Sequence, residues 1–167
     1  MEGDLSAFEI SEKVRECLRD KIAIKQKLES GTSVQELMEF SEEVMDTFYV
    51  LASHFIDEKR YADAANAFLF LVALNPYHYD YWLGLGLATQ FCGEYEGAIN
   101  CYEMAAICQI ENPLPYFYLA KCLFAMHDRS SALQAIDMAI EYAGEQQDNE
   151  ALYEKALAAK ELLLKEQ

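Results

Sequence analysis

Three stretches of this chain carry the same residue pattern 34 positions apart. In the middle stretch, Tyr79 to Asn112, the residues Trp82, Leu85, Gly86, Ala98, Tyr102 and Ala105 are spaced as two antiparallel helices closed by a turn at Cys92-Gly93-Glu94. Upstream, Phe48, Leu51, Ala52, Ala64, Phe68 and Leu71 take the same places, with Pro76 ending the second helix; downstream, Tyr116, Leu119, Ala120, Ala132, Ile136 and Ala139 do so. A helical hairpin of this size cannot bury its apolar face alone, so it requires stacked neighbours of the same kind. A chance amphipathic hairpin explains one such unit and not three in register. The small residues fit that arrangement: Ala52, Gly86 and Ala120 on the first helices face Ala64, Ala98 and Ala132 on the second, where short side chains let two helices cross closely.

The period and the placement of the small and large residues are those of the tetratricopeptide repeat. Three units are expected over 45–78, 79–112 and 113–146, preceded by an amino-terminal helical extension over 1–44 and followed by a capping helix over 147–167. The fold class expected is all-α: the three prolines and seven glycines fall mostly at helix ends, and no period-2 run bounded by turns suggests a strand. An apolar share of 53% with 13% aromatics argues for a packed core rather than disorder.

In the extension, Ser6-Ala7-Phe8-Glu9 has the spacing of a capping box, and Ile10, Val14, Leu18 and Ile22 then recur every four residues, joined by Cys17 and Leu28. One long amphipathic helix to about Lys27 is the expectation. Its stripe serves either to pack on the first repeat or to pair with another subunit, and spacing alone leaves both open. Ser33-Val34-Gln35-Glu36 forms a second capping box leading through Leu37, Met38 and Phe40, and Ser41 with Glu42 and Glu43 caps the first repeat helix. After the repeats Gly144 stops a helix, Asp148 or Asn149 can cap another, and Ala151, Leu152, Ala156, Ala159 and Leu163 give that last helix one apolar side with a polar back.

The net charge of −16 disfavours nucleic acid and anionic membrane surfaces, whose phosphates the chain would repel. Most of that charge lies beyond residue 30. The longest apolar run, Ala67–Leu74, is far too short to span a bilayer, and MEGDLSAFEI lacks the apolar core of a signal peptide, so a cytoplasmic protein without stable membrane association is expected. The five cysteines at 17, 92, 101, 108 and 122 show no C-x-x-C spacing and read as free thiols at buried or half-buried helical positions. His54, His78 and His127 pair with no ligand at helical spacing, and Gly84-Leu85-Gly86 lies mid-helix with no strand before it, so it reads as packing glycine rather than a phosphate loop. No catalytic, metal-binding or cofactor-binding constellation is expected, and no enzyme.

Function is expected on the inner surface of the stack, lined by the first helix of each unit. With four positions of that helix committed to packing, the inward positions are Asp46, Tyr49, Ser53 and Ile56, then Asp80, Leu83, Leu87 and Gln90, then Leu114, Phe117, Lys121 and Phe124. An apolar, aromatic concavity of this kind marks a partner site, unless Tyr49, Leu83 and Phe117 are core with the amino-terminal segment over them. Three helices about 10 Å apart make a trough of roughly 20–30 Å, enough for about six to nine residues of extended peptide at about 3.3 Å each. An acidic tail would be repelled, because Lys121 is the one cation among these positions against Asp46 and Asp80.

The chain resembles the class II type III secretion chaperones of Gram-negative bacteria, the SycD/LcrH/IpgC/SicA group, along nearly its whole length. The matching runs are Gly31-Thr32 with Leu37; Phe48-Tyr49-Val50-Leu51-Ala52 and Arg60-Tyr61-Ala62-Asp63-Ala64; Leu83-Gly84-Leu85-Gly86 with Gly93-Glu94-Tyr95 and Ala98-Ile99; and Ala120-Lys121-Cys122-Leu123. The resemblance implies a cytoplasmic chaperone that uses no ATP and holds hydrophobic translocator proteins soluble and apart before export. It implies that an extended client segment of proline-x-leucine-x-x-proline type lies in the concave groove, over Tyr49, Ile56, Leu83, Leu87 and Phe117. It also implies a homodimer through the amino-terminal region, with Ile10, Val14, Leu18 and Ile22 as its residues. Lys59 and His127 depart from the pattern, standing where a glycine would ease a turn; Lys121 stands where relatives often have Glu, and Ser53 and Ile56 where they often have aromatics. The alternative is a repeat scaffold assembling a soluble complex through other surfaces, which a charge placed at Leu83 or Tyr49 would leave nearly intact.

Overall fold

A computed structural model describes residues 11–145 and 147–165. It contains helices α1 (Glu12–Arg19), α2 (Lys21–Glu29), α3 (Val34–Leu37), α4 (Glu42–Asp57), α5 (Tyr61–Leu74), α6 (Tyr79–Phe91), α7 (Tyr95–Cys108), α8 (Pro113–Ala125), α9 (Arg129–Gly144) and α10 (Glu150–Lys165), with a short 3-10 turn at Gln147–Asn149. From α4 onward each helix packs on the next, and α4 also touches α6 and α8 touches α10, so alternate helices share one face of the stack. Among the described residues there is no strand.

The boundaries follow from local chemistry. Ser41 accepts from the Val44 amide to start α4, Asn112 accepts from the Leu114 amide just before Pro113, and Asp128 accepts from both the amide and the hydroxyl of Ser131. Those two bonds hold the Asp128 carboxyl below its ordinary range. Within the hairpins the turns fall on Lys59, Gly93 and His127, all in the left-handed region at φ 60°, 84° and 63°. Two of the three turns therefore ask a side-chain-bearing residue to do what glycine does in the middle one.

Two glycines set the spacing of the middle hairpin. A Cβ on Gly86 would lie 2.6 Å from the Tyr102 ring, and one on Gly84 would lie 2.3 Å from Phe68 of the preceding hairpin. Gly86 therefore seats the wholly buried Tyr102 inside its own hairpin, and Gly84 seats Phe68 between hairpins. The core runs along the stack in three clusters, from Met45, Ala52 and Leu71 through Ala98, Tyr102 and Cys122 to Ile136, Ala139 and Ala156.

The amino-terminal extension differs from its sequence expectation. The helix is not continuous to Lys27: it breaks at Asp20, whose backbone leaves the helical region and whose carboxylate accepts from the amides of Ile22 and Ala23 to start α2. An aspartate offering its own caps competes with the helix it interrupts. Ser11 caps α1, while the Ser6–Glu9 box lies outside the described residues. The second capping box forms as read, with Ser33 and Glu36 satisfying each other's amides. Gln35, buried, then donates to Glu42 and accepts from Asn75, tying α3 to both helices of the first hairpin.

Candidate functional site

The side chains expected on the inner face sit on the alternate helices: Tyr49, Ser53 and Ile56 on α4, Leu83, Leu87 and Gln90 on α6, and Phe117, Lys121 and Phe124 on α8. Lys121 and Phe124 are exposed and the others half-buried, whereas Ala52, Leu85 and Ala120 on the packed side of the same helices are closed off. That difference is the mark of a lined surface rather than a core.

At the α4 end, the Tyr49 ring meets Phe68 edge-on at 5.9 Å and reaches across to Tyr81 of α6 at 6.1 Å. Tyr81 is buried and stacked under His78 at 4.1 Å. Burial first, and then the carboxylates of Glu42, Asp46 and Asp80, push the Tyr81 phenol up to about 12. Burial and Asp80 raise Tyr49 likewise. Both hydroxyls stay protonated at neutral pH beside an acidic rim. Tyr81 falls between the inward positions of α6, and it supports the face from the core instead of lining it.

In the middle, Leu83 and Leu87 pack over Ala98, Tyr102 and Cys122. Gln90 is half-buried at its inward position, and its carbonyl oxygen accepts from the Tyr102 hydroxyl at 2.6 Å. Tyr102 in turn stacks on Tyr118 of α8 at 5.4 Å, so Gln90 is held by the hairpin interior. At the α8 end, the Lys121 ammonium sits over Phe117 at 5.9 Å and Tyr118 at 5.4 Å. No carboxylate among the described residues reaches it within ion-pair distance. The face thus runs from an acidic rim on α4 and α6 to one cation on α8.

The face also continues beyond α8. Helix α10 buries Ala156 and Leu163 as expected, but Ala151 is exposed rather than packed, and Leu157, Leu162 and Leu164 are exposed among Glu154, Lys155, Glu161 and Lys165, so its back is only partly polar. Ala159 and Leu162 close a cavity against α8 that the repeat register, ending at residue 146, did not reveal.

The four residues expected to pair subunits divide. Val14 is 2% exposed, lodged beside Thr32 and Leu37 of its own chain; Leu18 and Ile22 are 40% and 71% exposed; Ile10 lies outside the described residues. Lys13 pairs with Glu39, fastening α1 to the second residue after α3. Among the cysteines Cys92 is exposed at the end of α6, contrary to expectation, because it caps that helix at the turn. Cys101 and Cys122 are buried with thiols pushed up to about 11 by desolvation, poor nucleophiles at neutral pH. No group of three or more His, Cys, Asp or Glu among the described residues could hold a metal ion, and no helix there is long and apolar enough to cross a membrane.

No family model matches the chain. It is 31% identical over 121 residues to the low calcium response locus protein H of Yersinia pestis, covering 72% of each. Among solved structures it is similar to PcrH of Pseudomonas aeruginosa in complex with the chaperone binding region of PopD, at 31% identity, covering 74% of this chain and 93% of that one with a TM-score of 0.73. It is also similar to the type III secretion translocator chaperone SycD of Yersinia enterocolitica in a form described as an alternative dimer, at 28% identity, covering 75% and 95% with a TM-score of 0.72.

Proposed function

Since the chain belongs to the family of type III secretion translocator chaperones, we propose that it is such a chaperone, binding hydrophobic translocator proteins in the bacterial cytoplasm before export. It acts by capture and not by chemistry: an extended apolar segment of the client lies along the face of α4, α6 and α8. The observation that carries this is the half-exposure of Tyr49, Ile56, Leu83, Leu87 and Phe117 beside fully closed packing positions on the same helices. A solvated helix face would not keep five large apolar side chains in that state. Ser53, Gln90, Lys121 and Phe124 supply the polar and rim contacts.

The acidic composition suits a holder of membrane-inserting clients, since like charges keep loaded complexes from co-aggregating. Self-association runs through the exposed Leu18 and Ile22 of α1 and α2, with Val14 excluded because its own chain buries it.

The test is fluorescence anisotropy of a labelled peptide of proline-x-leucine-x-x-proline type, titrated with the protein and with Leu83→Glu. Saturable binding, weakened at least about tenfold by the buried charge, is expected. Binding that Leu83→Glu leaves intact would move the site off this face and favour a scaffold acting through other surfaces.

A further inference from the structure

The cavity between α8, α9 and α10 has a volume of about 160 Å³ and is almost wholly apolar. Ala120 and Ile136, 3% and 1% exposed, form its floor; Phe124 and Leu162, 41% and 63% exposed, stand at its rim with Ala159 and Lys121. Apolar cavities of about 150 Å³ are large enough to take a benzene molecule, so this one has room for a single aliphatic or aromatic side chain. It opens at the end of the face where Phe117 and Lys121 lie, so it continues the proposed client surface onto α10.

Charge decides what else comes with that side chain. Lys160, next in sequence to the cavity's Ala159, is neutralised by Asp137 at 2.7 Å. Lys121, by contrast, has only ring faces beneath it and no carboxylate within ion-pair distance among the described residues. At the opposite end of the face Glu42, Asp46 and Asp80 crowd the tyrosines. A carboxylate on the ligand is therefore attracted at the α8–α10 end and repelled at the α4–α6 end.

We infer that the α8–α10 cavity is a separate client subsite, which takes one apolar side chain from a residue adjoining an aspartate or glutamate, the carboxylate pairing with Lys121. This rests on the groove-capture reading and refines it: the opposed charges at the two ends fix the direction in which the segment lies. An acidic tail as a whole still finds no place on the face, because only this end is positive.

The experiment uses the full chain and a family of labelled peptides. The proline-x-leucine-x-x-proline core is tested alone, and with a Leu-Glu, Leu-Lys or Ala-Glu pair joined through a short glycine-serine linker to either end. Leu-Glu at one end and not the other is expected to tighten binding about tenfold, as burying a leucine side chain allows. Most of that gain is lost with Ala-Glu and in Leu162→Glu, and Lys121→Glu shifts the preference from Leu-Glu to Leu-Lys. Leu162 and Lys121 are exposed, so neither variant threatens folding. If the core binds and depends on Leu83 while no extension improves it, or if Leu-Glu and Leu-Lys improve it equally, the subsite is overturned and groove capture stands. If no peptide binds, both readings fall.

Discussion

The two ends of the repeat stack solve the same problem differently. At the carboxy-terminal end the open side of the last hairpin is closed within the chain: α10 lays Ala156 and Leu163 on Ile136 and Ala139, and all four are 5% exposed or less. Among the described residues no comparable lid is in place at the amino-terminal end. Leu51, which takes the same position in its hairpin as Leu85, is 48% exposed where Leu85 is 7% exposed, and Val50 and Phe70 of the same hairpin are 65% and 46% exposed. Helices α1 and α2 pack chiefly on each other, and the extension reaches the first hairpin mainly through α3 and the Asn75–Gln35–Glu42 chain of hydrogen bonds. A stack of hairpins must cover both terminal faces. Here one cover is intramolecular, and the other face is left apolar and accessible by the described residues, as are Leu18 and Ile22 of the extension.

Removing the intramolecular lid has the largest expected effect. Leu163→Ala deletes a side chain that is 5% exposed and leaves a hole against Ile136, which costs about 2–4 kcal/mol and is read as a lower midpoint in chemical denaturation. Leu51→Ala makes the same truncation at the open end, and at dilutions where the monomer prevails it costs less than about 1 kcal/mol because half of that side chain already lies in water. Equal losses would mean that the amino-terminal face is covered in the monomer after all.

The open end is next. With Leu18→Glu and Ile22→Glu combined, sedimentation velocity should show the dimer weakened at least about tenfold, with the monomer's denaturation midpoint nearly unchanged, since both side chains lie on the surface. A dimer unmoved by these charges would place the contact on Val50, Leu51 and Phe70 instead.

How much of this was legible in the sequence follows from what the 34-residue register can carry. The hairpins, the packing glycines and the strained turns at Lys59 and His127 were readable because each sits at a position whose neighbours are fixed by the repeat. The break at Asp20 was not, because an i,i+4 apolar stripe runs through it unchanged; the only signal was a residue able to cap its own successor amid Arg19 and Lys21. The engagement of Gln90 by Tyr102 was hidden because it joins an inward position on one helix to a core position on its partner. The α10 side of the cavity lay beyond the last unit, where no register assigns Leu162 a direction.

The smallest effects test whether the two ends also differ in cooperativity. Lys59 and His127 hold the left-handed region in the first and third hairpins, where Gly93 holds it in the second. A side-chain-bearing residue there costs about 1–2 kcal/mol, and glycine returns part of that as unfolded-state entropy, about 0.5–1 kcal/mol. Lys59→Gly and His127→Gly should each therefore stabilise by about 0.5–1 kcal/mol. Where that gain is registered is the informative part. The third hairpin opens only together with its lid, so His127→Gly should raise the global unfolding free energy. The first hairpin has one open side and can open by itself, so Lys59→Gly should slow amide exchange in α4 and α5 while moving the global midpoint less. Equal global gains from both substitutions would show that the stack unfolds as one unit, and that its uncovered face costs it exposure but not cooperativity.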